Sequence, residues 1–69
     1  MSNKSKEVGA RLKDLRVQRG ETQADISKVL GVTDAAVCQY ENGQAIPSDS
    51  VKEKYARHFK RSVQFIFFR

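Results

Sequence analysis

Residues 23–43 read QADISKVLGVTDAAVCQYENG. Ile26, Val29 and Leu30 fall at i, i+3 and i+4, the spacing of one helical face. Thr22 precedes them as an N-cap, and Asp25 three residues on completes a capping-box pattern. Gly31 stops this helix and permits the positive φ that a tight turn needs. Thr33 is a second N-cap, and Val37 and Tyr40 supply the inward face of a second short helix. Gly43 reads as its left-handed stop, with Pro47 soon after. Two short helices therefore meet across Gly31-Val32-Thr33. Ser27 is small where the second crosses close to the first, and Val32 plugs the corner. With Val37 and Tyr40 turned inward, the start of the second helix faces outward.

The same logic extends to both ends of the chain. Val8, Leu12 and Leu15 make a helical stripe that stops at Gly20. A fourth helix is predicted to start near Ser50 with Glu53 as capping partner, and Val51, Tyr55 and Phe59 as its stripe. Ser62 caps a last short helix if Val63, Ile66 and Phe67 point inward. The alternation Val63, Phe65, Phe67 suits a strand equally, so residues 63–68 read as helix or strand. Neither repeats nor a linker interrupt the pattern. The expectation is all-α: one domain over residues 1–69, a compact bundle of about five short helices.

Size and composition exclude several function classes. A 69-residue chain has a thin core and cannot also enclose a large cleft. Cys38 is the single cysteine, so no intrachain disulfide forms and no Cys/His cluster holds zinc. No metal and no cofactor is expected. No nucleophile–base pair, carboxylate dyad or phosphate-cradling loop is present; with only Cys38 and His58 as candidates, the chain does not read as an enzyme. The charges at the start lack an apolar run behind them, and Phe65-Ile66-Phe67-Phe68 is too short to span a bilayer. A cytoplasmic chain without a membrane partner follows as an expectation. The net charge is +5 and unevenly spread. Residues 1–20 carry six basic against two acidic side chains, residues 21–50 one against five, and residues 51–69 six against one. A basic chain points to nucleic acid or an acidic surface as partner.

The pattern over residues 23–42 is that of a helix-turn-helix. Beside it stand Arg11-Leu12-Lys13, Leu15-Arg16, Gly20, Thr22-Gln23, Leu30-Gly31-Val32-Thr33, Tyr40-Glu41-Asn42-Gly43 and Pro47-Ser48. Together these resemble the XRE family, the Cro/CI-type regulators of phages and bacteria, from about Val8 to Ile66. The resemblance implies a lambda-repressor-like domain that binds an operator in double-stranded DNA, as a repressor in a bacterial or phage-infected cell. It implies that Thr33, Asp34, Ala35, Ala36 and Gln39 face base edges and nearby backbone. It implies phosphate contacts from Gln23, which also buttresses the recognition helix, and from Asn42 and Gly43, and a structural charge pair between Arg16 and Glu41. Because the recognition helix has no Lys or Arg, phosphate contacts are also expected from Arg11 and Lys28. No small-molecule ligand is expected.

Side-chain chemistry weighs these roles against plainer ones. Gln39 can pair bidentately with adenine, and Ala35 and Ala36 can pack on thymine methyls or simply favour helix. Asp34 can accept from cytosine or merely complement the helix dipole. Cys38 reads as a small residue tolerated near the groove rather than a redox switch. His58 reads as a lone surface residue; Tyr55 and Phe59 as core; Lys52, Lys54, Lys60 and Arg61 as solvated faces. Four consecutive apolar residues cannot all face one thin core, so residues 62–69 are predicted to form a homodimer interface through Val63, Phe65, Ile66, Phe67 and Phe68. Two recognition helices about 34 Å apart would then read a near-palindromic operator. The alternative is an antitoxin-like or other protein-interaction module, using the Phe-rich end, with DNA binding secondary. The chain departs from the family pattern at Glu21, usually apolar, and near Lys52, where another leucine is usual. Its loop Gln44-Ala45-Ile46 and its recognition helix carry no basic residue, which predicts a shallow salt dependence.

Overall fold

Five helices follow one another in the computed structural model, which describes residues 4–68: α1 (Lys4–Gln18), α2 (Gln23–Leu30), α3 (Asp34–Asn42), α4 (Asp49–Phe59) and α5 (Val63–Phe67). The capping chemistry sets their ends. Thr22 Oγ1 accepts the Asp25 amide at 3.1 Å, and Asp25 Oδ2 accepts the Thr22 amide at 2.9 Å, so two orphan donors of α2 are satisfied reciprocally. The bond from the Thr22 amide, and after it the Thr22 hydroxyl, hold the Asp25 carboxyl below the usual carboxylate range. Thr33 Oγ1 accepts the Ala36 amide at 3.1 Å and starts α3. Gly31 and Gly43, at φ 72° and 76°, end α2 and α3 in the left-handed conformation.

One core joins all five helices. Leu12, Ile26, Leu30, Val37, Val51, Tyr55, Phe59, Ile66 and Phe67 form it. α1 packs on α3 and α5, α2 on α3 and α4, and α4 on α5. Tyr55 sits at the centre, edge-on to Tyr40 at 6.3 Å and stacked on Phe59 at 5.9 Å between ring centroids. Its buried hydroxyl has no hydrogen-bond partner among the described residues, and burial pushes its pKa up.

The structure resolves one reading that the sequence left open and corrects others. Residues 63–67 are helical, not a strand: Ser62 Oγ accepts the Phe65 amide at 3.0 Å and its carbonyl accepts the Ile66 amide. α4 begins at Asp49 with Ser48 as N-cap, rather than near Ser50 with Glu53, because Ser48 Oγ accepts the Val51 amide and brings Val51 into the core. Ile66 and Phe67 are not free for a partner; at 0% and 5% exposure they belong to the chain's own core. Helical rather than extended geometry makes this possible, because neighbours in a helix point about 100° apart instead of to opposite faces as in a strand, so both can be covered. Phe65 and Val63 are half-buried and Phe68 is exposed; Arg69, the last residue of the predicted interface, lies outside the described residues, as do residues 1–3. Finally, His58 is not a lone surface group. Its Nε2 lies 2.8 and 2.9 Å from the two carboxylate oxygens of Glu21, which Arg19 Nε also reaches at 3.0 Å. A polar residue thus stands where the family is usually apolar because α4 offers it a partner. Lys54 is similarly tied, its Nζ donating to the Leu30 carbonyl at 3.2 Å where α2 ends.

Candidate nucleic-acid interface

α3 divides sharply into two faces. Val37 and Glu41 are buried, and Tyr40 packs against the core. On the other side Asp34, Ala35, Gln39 and Asn42 are exposed, with Ala36 and Cys38 half-buried between them. Thr33, the exposed cap, continues this face at its start. Ala35, Gln39 and Asn42 recur at helical spacing, so their side chains share one outward stripe. The predicted base-facing residues are thus brought together at the beginning and middle of one helix.

A buried ionic network fixes that helix. Arg16 donates through Nε to Glu41 Oε2 at 2.7 Å and through Nη2 to Oε1 at 3.0 Å, a bidentate fork. Side-chain exposures of 13% and 2% make this a largely dry pair. The Glu41 bond raises the already high pKa of Arg16, so the guanidinium stays charged. Arg16 Nη1 also donates to the Glu21 carbonyl at 2.9 Å, and Gln23 Nε2 donates to Glu41 Oε1 at 3.2 Å. One carboxylate on α3 therefore ties α1, the start of α2 and α3 into a single unit. Ser27 Oγ adds a second tie, donating to Asp34 Oδ1 across the turn.

The residues expected at phosphates are placed less uniformly. Lys28 is exposed in the last turn of α2. Asn42 is exposed beyond Gln39, with Nδ2 3.4 Å from Cys38 Sγ. Gln23 is half-buried and directed at Glu41. Arg11 sends Nη1 to the Ile66 carbonyl at 2.6 Å and so braces α5. The Gly43 amide is used inside the C-cap of α3, donating to the carbonyls of Gln39 and Tyr40. The amides of Gln44 and Ala45 also turn back to the Gln39 carbonyl, so all three point into the helix end.

Gly9 is the structural determinant that sequence reasoning missed. It is buried where α1 crosses the end of α3, and a Cβ there would lie 2.7 Å from the Tyr40 carbonyl oxygen and closer still to that of Glu41. The available signal was a glycine inside a helical stripe, a choice that costs about 1 kcal/mol against alanine unless close packing requires it. Ser27–Asp34 and Glu21–His58 gave no comparable local signal.

Two capped helices at a tight glycine turn, the second presenting its early residues to solvent from a rigid base, define a helix-turn-helix DNA-binding domain. The chain belongs to the family described as helix-turn-helix domain, whose model matches residues 7–64. No curated protein and no solved structure matches it. Domains of this class bind DNA and are typically not enzymes. Among the described residues, no group of three or more His, Cys, Asp or Glu could hold a metal ion, and no helix is long and apolar enough to cross a membrane.

Proposed function

We propose that this chain is a sequence-specific regulator of transcription, of the XRE Cro/CI type, that represses by occupying a near-palindromic operator as a homodimer in the cytoplasm. The observation that carries the reading is the exposed stripe of α3, held on a buried charge network. In this reading the first half of α3 enters the major groove. Gln39 pairs with a base edge, Thr33, Ala35 and Ala36 lie against bases or adjacent backbone, and Asp34 orients α3 through Ser27 while facing the groove. Lys28 and Asn42 supply phosphate contacts, and Gln23 buttresses α3 beside a phosphate. Self-association uses the exposed Phe68 together with Val63 and Phe65, each half-buried against the core.

Selection of bound sequences from a random duplex library at near-physiological salt tests this. The expected result is a consensus of two half-sites related by a two-fold axis, one helical turn apart. A lack of enrichment over the input library overturns the reading. It would move first place to the protein-interaction alternative, which the exposure of Phe68 and Ile46, 60% and 70%, favours independently.

A further inference from the structure

A cleft of about 210 Å³ opens between the start of α1, the end of α3, the loop after it and the end of α5. Val8, Tyr40, Pro47 and Phe67 line it. Of these, Pro47 and Phe67 are buried and Val8 and Tyr40 half-buried, so its interior is apolar and concave rather than a flat patch. Its lips are Ile46 and Phe68, the two most exposed large hydrophobic residues of the described chain. Two such residues facing one cleft from different elements mark a surface that an apolar group would complete.

The charge at the rim narrows what that group carries. Lys52 lines the cleft, with Nζ 5.1 Å from the Phe68 ring centroid and 5.7 Å from that of Phe67. The ammonium is therefore held directly over the apolar walls. Its neighbouring carboxylate, Asp49 Oδ1, is 3.9 Å away on a fully solvated side chain, the outer limit of an ion pair. Lys4 is a second basic residue lining the cleft.

We propose that this cleft binds a small amphipathic carboxylate, an alkyl or aryl acid of about ten to twelve heavy atoms, the scale that a pocket below the usual ligand range admits. The apolar part lies on Val8, Tyr40 and Phe67 between Ile46 and Phe68, and the carboxylate meets Lys52. The occupant bears on Tyr40, Ala45 and Ile46, the end of α3 and its following loop. Any consequence for operator affinity rests on the DNA-binding reading; the binding itself does not.

The test is titration of the isotopically labelled full chain with decanoate, followed by amide chemical shifts, with decylammonium as the cationic control. Phe68 also belongs to the proposed self-association surface, so sedimentation is measured on the same sample. The expected result is saturable shifts concentrated at Ile46, Lys52 and Phe68. Lys52→Gln should weaken decanoate about fivefold, the share of a partly exposed charge pair. Ile46→Ser, at an exposed position, should weaken it as well while the spectrum stays dispersed. Three results overturn the proposal: no saturation below the micelle-forming concentration, equal shifts around the unrelated exposed residues Val17 and Val29, or decylammonium binding as tightly as decanoate. None depends on whether the chain binds DNA.

Discussion

Gln39 is exposed on α3, while its neighbour Tyr40 and the following Glu41 turn inward. Its amide therefore projects from a helix whose roll is fixed, the condition for reading a base edge rather than brushing one. Gln39→Ala should cost about 1–3 kcal/mol on the selected operator and little on random duplex, measured by equilibrium titration of both. Equal losses on the two would assign Gln39 to general backbone contact. Glu41 acts from the opposite face. Its removal strands Arg16 with 13% of its side chain exposed, so some water can reach the charge. Glu41→Ala should accordingly lower unfolding stability by about 3 kcal/mol, the low end for breaking a buried pair. A urea midpoint near that of the parent chain would show that the network is structurally idle. The pair, and Gln23 as a buttress of α3, were legible in the sequence through family resemblance, but the bidentate geometry and the bond from Gln23 to Glu41 were not. Those depend on where three helices converge, across 18 to 25 residues of chain.

At the scale of elements, local signals were strong because each helix carries its own start and stop. Thr22, Thr33 and Ser62 cap where the sequence places them, and Gly31 and Gly43 terminate. α4 is capped by Ser48, two residues before the Ser50 near which the sequence pattern places its start, because the earlier start buries Val51. The segment after Ser62 was ambiguous because five residues fit either period; the core decided by taking both Ile66 and Phe67. Gly9 shows where tertiary packing overrides propensity. Alanine there should gain about 1 kcal/mol of helix propensity. Against this, its Cβ meets the Tyr40 and Glu41 carbonyls on the backbone of α3, which cannot swing aside as a flexible side chain could. Gly9→Ala should thus destabilise the domain by about 1–3 kcal/mol net, the range for overpacking, and a stabilised variant would contradict the close crossing of α1 and α3. The cap of α2 adds a pH signature. Because folding lowers the Asp25 pKa, its contribution is present above the unfolded value, about pH 4, and is lost as pH falls through the folded one. The stability difference between the parent chain and Asp25→Asn should therefore shrink on acidification below about pH 4; a difference independent of pH would remove the capping bond as its cause.

For the whole molecule, the arrangement of helices determines whether self-association and DNA reading can coexist. α3 packs on α1 and α2 and α5 on α4 and α1, and the ends of α3 and α5 face each other across the cleft that Tyr40 and Phe67 line. The domain measures 33 × 23 × 23 Å. The proposed dimer requires two copies joined at the exposed edge of α5 to present their α3 helices about 34 Å apart, the separation of successive major-groove faces. The substitution that tests this must leave the core intact. Phe67 cannot serve: at 5% exposure, a glutamate there would bury a charge and unfold the domain. Phe68, 60% exposed, can. Phe68→Glu should leave the unfolding midpoint within about 0.5 kcal/mol of the parent, as surface changes do. It should shift the sedimenting species from dimer to monomer, and weaken the two-half-site operator far more than a single half-site. If the mass and the operator affinity both stay unchanged, the C-terminal surface is not where two copies meet, and operator symmetry must arise from another face of the domain.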